Sequence, residues 1–219
     1  MIKDGMTLQE VGKCLLRTGR MNYFRFAMIL FRHKKEYQSI FFNSGEDSYD
    51  FQTIKVEVGN ISFYICPYVI SKSDYEKYGT CFCLLASFTY KDEEWYCMFS
   101  NYNRQVMIFT SDFFEQYIQT HLKDDSVVDI DSVRYFFKSI DYLINAEHID
   151  NTDLENAILS GTKIGILRGF EACKDVSVYN EYVDKELLQG DEMKRLFNES
   201  LQRFDSIEMD SLGDRILAS

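Results

Sequence analysis

Hydrophobic residues occupy every second position of IKVEVGNISFYIC (54–66), and Gly59-Asn60 divides the run in two. Alternation on both sides of a two-residue Gly-Asn segment is the pattern of a β-hairpin whose turn uses positive φ. The implied register pairs Val58 with Ile61, Val56 with Phe63 and Ile54 with Ile65 on one core face. Lys55, Glu57, Ser62 and Tyr64 then point to solvent. A second hairpin is expected over about 80–102, turning in the charged run Lys91-Asp92-Glu93-Glu94. That places Tyr90 opposite Trp95, Phe88 opposite Cys97 and Ala86 opposite Phe99. Its apolar face carries Phe82, Leu84, Ala86, Phe88, Tyr90, Trp95, Cys97 and Phe99. QVMIFT (105–110) reads as the next strand, and 154–183 returns to strand character through ENAILS, KIGILRG and DVSVYNEYV. Gly165 and Gly169 mark a bulge or bend there.

Helical periodicity fills the rest. Thr7 with Glu10 forms a capping-box pattern that opens a helix over 7–43, with Gly19 as its one candidate break. From Tyr23 onward this segment is apolar around most of its circumference, so the rest of the fold is expected to cover all but a narrow charged stripe. A central helix pair follows. The first helix is capped at Thr110 or Ser111 and runs to about Leu122. The second repeats apolar residues at helical spacing from Val133 to Glu147. A C-terminal helix spans 185–204, and the last fifteen residues are expected to be loosely held. These elements predict an α+β fold in a single domain over 1–219. Its mainly antiparallel sheet is built from hairpins (about 54–66, 80–102 and 154–183) and packed by a long N-terminal helix, the central pair and the C-terminal helix.

Charge is unevenly spread along the chain. The net charge is −11, yet residues 1–43 carry eight Lys/Arg against three acidic residues, a net of +5 that leaves −16 on the other 176. An acidic body disfavours phosphate backbones, so nucleic acid is not expected as a partner. Arg17, Arg20, Arg25, Arg32 and Lys35 could form a positive ridge that docks a partner, although pairing with the protein's own acidic body would account for them too. The longest apolar run, Phe26–Phe31, is six residues, far short of a membrane span. The first twenty residues lack a secretory apolar region. With six cysteines and no such leader, free thiols and a cytoplasmic location are expected, with no membrane association.

Candidate chemistry is sparse. Cys81-x-Cys83 and Cys97 do not have zinc spacing, because the strand register sends Cys97 to the opposite face. The acidic pairs lie in predicted loops, and Asp129-Ile-Asp131 lacks the glycine of a calcium loop. No nucleophile elbow, phosphate loop or metal-binding histidine pair occurs, so no metal and no cofactor are expected. The smaller, mixed face with Cys81, Cys83, Ser87, Tyr96 and Tyr102 could leave a ligand groove. The pattern points to a binding module for a protein partner or small ligand and leans away from an enzyme. Its alternative is a motif-poor, ribonuclease-like or toxin-like catalyst with His121 as base and Arg104 as anion clamp. The apolar helix over 23–43 also fits a self-association surface.

Overall fold

The computed structural model describes residues 1–100, 105–123, 128–140, 144–148 and 156–209. Its order is α1 (Leu8–Ser44), β1 (Tyr49–Asp50), β2 (Ile54–Val58), β3 (Ile61–Val69), α2 (Lys72–Tyr78), β4 (Cys81–Tyr90), β5 (Glu93–Ser100) and β6 (Gln105–Phe109). Then come α3 (Ser111–Tyr117) with a π-turn at Ile118–Leu122, α4 (Ile130–Ser139), β7 (Asn145–His148), β8 (Ala157–Gly161), β9 (Gly165–Cys173), β10 (Val176–Asp184), a 3₁₀ turn at Lys185–Leu187 and α5 (Asp191–Met209).

The ten strands of the described residues join one sheet, ordered β1-β3-β4-β5-β6-β10-β9-β8-β7, with β2 also on β3. Every pairing is antiparallel except β6 with β10, where Val106 to Phe109 run alongside Val176 to Tyr179. Two antiparallel meanders therefore meet at one parallel seam, and the fold is α+β. Among the described residues, no helix is long and apolar enough to cross a membrane.

The first hairpin has the register read from its alternation: Val58↔Ile61, Val56↔Phe63 and Ile54↔Ile65. Ser62 and Tyr64 differ from expectation in being half-buried. The second face of β3 is covered too, and the Tyr64 hydroxyl meets Ser87 Oγ at 3.3 Å. In the second hairpin the register differs by two residues, pairing Phe88 with Trp95, Ala86 with Cys97 and Leu84 with Phe99. Lys91 and Asp92 both adopt positive φ (53° and 65°), so two residues turn the chain where four were expected. An even shift preserves both faces.

One face of the sheet carries α1. Ile61, Phe63, Ile65, Leu84, Ala86, Cys97, Val106, Ile108 and Val178 pack beneath Val11, Leu15 and Phe26 of that helix. α1 is unbroken at Gly19. Gly12 and Gly19 are instead points where it approaches the sheet closely: an added Cβ would lie 2.4 Å from Val176 Cγ1 and 2.9 Å from Phe99 Cε1, respectively. Thr7 and Glu10 close the expected capping box, and hydrogen bonds from Thr7 hold the Glu10 carboxyl below its usual range. The other face carries α3 and α4 on a cluster of Phe109, Phe113, Phe114, Tyr117, Phe136, Phe137, Tyr179 and Tyr182. α5 packs Leu196 against Leu159 of β8 and Ile166 of β9.

Three helical expectations need correction. α4 ends at Ser139, and Asn145–His148 forms strand β7 on β8. The outer edge of β8 takes up a segment whose local periodicity reads as helix, an override of propensity by tertiary pairing. The C-terminal helix begins at Asp191 and not at Lys185, because Gly190 (φ +81°) separates it from the 3₁₀ turn. It also runs to Met209, into the stretch expected to be loosely held. The rest of that stretch, 210–219, lies outside the described residues.

Candidate functional site

At 3.6 residues per turn, the inward residues of α1 include Val11, Leu15, Gly19, Phe26, Tyr37 and Phe41, all buried. Met21, Phe24, Met28 and Phe31 form a row on the opposite side. Their exposures are 71%, 77%, 37% and 68%. The expectation that the fold covers the apolar girth of this helix is therefore corrected: the sheet takes one face, and an aromatic and thioether stripe points outward. Four large apolar residues in one row make a contiguous exposed patch, which single exposed side chains do not.

The five cations singled out as a ridge, Arg17, Arg20, Arg25, Arg32 and Lys35, are all exposed on this same helix. Arg17 and Lys35 cap the two ends of the apolar row. Arg20 lies on one flank, with Lys34 in line with it, and Arg25 and Arg32 lie on the other. No Asp or Glu occurs between Glu10 and Glu36. Among the described residues, no ion pair to the acidic body involves Arg17, Arg25, Arg32 or Lys35. Hollows border the helix among the described residues. One of about 590 Å³ lies beside the near end of the stripe and is lined by Met1, Met6, Cys14, Arg17 and Met21. Another, of about 280 Å³, lies between His33, Tyr37 and the β1–β2 segment.

The proposed ligand groove has a different surrounding. Cys81, Cys83, Ser87 and Tyr96 are buried, and Cys83 and Tyr96 belong to the cluster under α3 and α4. Phe114 of α3 packs edge-on against Tyr96, ring centroids 5.4 Å apart, on the face where a groove was expected. Desolvation pushes the Cys81 and Cys66 thiols up to about 11 and the Cys83 thiol well above its ordinary value. Tyr102 lies outside the described residues.

His121 lies in the π-turn that follows α3, one residue before its end at Leu122. Its Nδ1 is 2.6 Å from Asp184 Oδ2 at the end of β10, and its ring stacks on Tyr117 with centroids 5.3 Å apart. Asp184 also accepts from the Glu186 amide at 2.9 Å, while the Tyr182 hydroxyl sits 3.2 Å from Oδ2. Burial raises the Asp184 carboxyl, but the Glu186 amide, the imidazole and Tyr182 outweigh it and hold it below its usual range. The arrangement is a carboxylate that orients an imidazole. Sequence reasoning singled out His121 but not Asp184 or Tyr182, which are 63 and 61 positions away. Arg104, the expected anion clamp, lies outside the described residues.

Comparison with known proteins finds no matching family model, no matching curated protein and no matching solved structure.

Proposed function

We propose that this protein is a non-enzymatic binding module that holds a protein partner on the outer face of α1. The observation that carries the reading is the outward row of Met21, Phe24, Met28 and Phe31, bracketed by arginines and lysines. A protein partner covers such a row by desolvating apolar side chains at its centre while charges at the rim set orientation and encounter rate. Methionine suits such a surface because its flexible thioether adapts to the partner's shape. The reading treats the chain as one domain acting in the cytoplasm, and six free thiols suit a reducing compartment.

The test is site-specific photo-crosslinking in cells. A photoreactive residue at Phe31 is expected to give a discrete protein adduct, while the same residue at exposed Leu187, on the 3₁₀ turn, gives none. Equal labelling from both positions, or none from position 31, would refute the reading.

A second reading, catalysis by His121, has one observation in its favour: the 2.6 Å contact with Asp184 that orients the ring. RNA hydrolysis abolished by His121→Ala would support it, and hydrolysis unaffected by that substitution would remove it.

A further inference from the structure

The outward row of α1 is spaced three, four and three residues apart (21, 24, 28 and 31). This is the a-d-a-d repeat of a two-helix seam. In that frame Gly19, Phe26 and His33 occupy f, on the side opposite the seam, and Gly19 and Phe26 are buried against the sheet. Arg25 and Arg32 occupy e, and Arg20 and Lys34 occupy g. Arg17 falls at d and Lys35 at a, so cations close the seam at both ends. Over the two central heptads, every charged residue at e or g is therefore basic. We propose that the partner bound by this face is an acidic amphipathic helix, apolar at its own a and d positions and bearing Glu or Asp at e and g, laid along α1 between Arg17 and Lys35.

This inference rests on the protein-partner reading above and specifies its chemistry. Charge decides among occupants. A second copy docked through the same stripe would set Arg20, Arg25, Arg32 and Lys34 against their own kind, and like charges at e and g oppose pairing. An anionic bilayer would also meet the cations. However, an apolar row of strict a/d width is the narrow seam that fits one helix, whereas an interfacial helix presents a broader apolar face. An anionic bilayer would also repel the rest of the body, whose remaining residues carry −16. The seam from Arg17 to Lys35 is about 27 Å long, which matches a partner helix of about 18 residues.

The probes are two synthetic 21-residue helices with leucine at a and d, one carrying Glu and the other Lys at e and g, titrated into the full chain by fluorescence anisotropy. The Glu helix is expected to bind at least about tenfold more tightly than the Lys helix at low salt, with the gap closing as salt rises. Arg25→Glu with Arg32→Glu should invert that preference. Phe24→Ser with Phe31→Ser should abolish binding while thermal unfolding stays unchanged, because both side chains are exposed. Equal binding of the two helices, or binding of neither, overturns the proposal. So does stripe-dependent binding to phosphatidylserine vesicles without a preference for the Glu helix, and so does self-association of the chain that Phe24→Ser removes. If the adduct at position 31 forms in cells but the Glu helix neither binds nor competes with it, this inference alone falls. If no adduct forms, the protein-partner reading falls with it.

Discussion

Phe109→Ala is expected to destabilise the protein by about 3–5 kcal/mol. Phe109 is fully buried where β6 meets β10. Its ring lies 5.0 Å from Phe113, 5.2 Å from Phe137 and 5.2 Å from Tyr179, centroid to centroid. Truncation would remove the common neighbour of α3, α4 and β10 at once. Phe113, Phe114, Phe136 and Phe137 pack edge-on against one another and cannot collapse into the space without losing those contacts. At this chain length the loss corresponds to a fall in Tm of roughly 6–20 °C. Phe31→Ala is the internal control, since its side chain is 68% exposed, and should change stability by no more than about 0.5 kcal/mol. Urea denaturation of both variants checks the pair, and equal losses would contradict the assignment of faces.

Gly169→Ala is expected to cost about 2–4 kcal/mol, far more than a methyl group does in a helix or open turn. A Cβ at this position would sit 2.0 Å from the Val178 carbonyl oxygen and 2.9 Å from its carbon. Those atoms belong to the backbone of β10, which cannot rotate aside as a side chain can. The register between β9 and β10 shifts beside this point, between Tyr179 and Glu181, and glycine allows the strands to approach across the irregularity. Gly45→Ala provides the contrast. There φ is +73° and nothing lies within 4 Å, so only the left-handed strain of about 1 kcal/mol is expected. Denaturant midpoints of the two variants should differ accordingly. Similar midpoints would mean that β9 and β10 are not so closely apposed.

Local chemistry made part of this fold legible. The Thr7–Glu10 box and the alternation around Gly59-Asn60 specify a helix start and a strand register within a dozen residues, and both occur as read. Registers set by less usual turn residues were harder to read. Lys91 and Asp92 adopt left-handed conformations that glycine or asparagine would have signalled and that a charged run conceals. The parallel pairing of β6 with β10 joins segments about 70 positions apart, so no local pattern announces it. The same limit hid Asp184 from His121.

On α1 the candidate site was half legible. Its cations are plain in the sequence, but Phe24, Phe26 and Phe31 look alike as letters, and only the sheet decides which of them turns inward. The usable signal was the pair Gly12 and Gly19. Read as a packing face, and not as a break, they lie on the same side as Phe26 and place Phe24 outside.

That rotation of α1 decides which side chains a partner can reach, and hydroxyl-radical footprinting of the free chain with mass spectrometry measures it. Phe24 and Phe31 should be oxidised many times faster than Phe26 and Phe41 of the same helix, which are fully buried. Oxidation of Phe26 at the rate of Phe24, or protection of Phe24 in the monomeric chain, would contradict it.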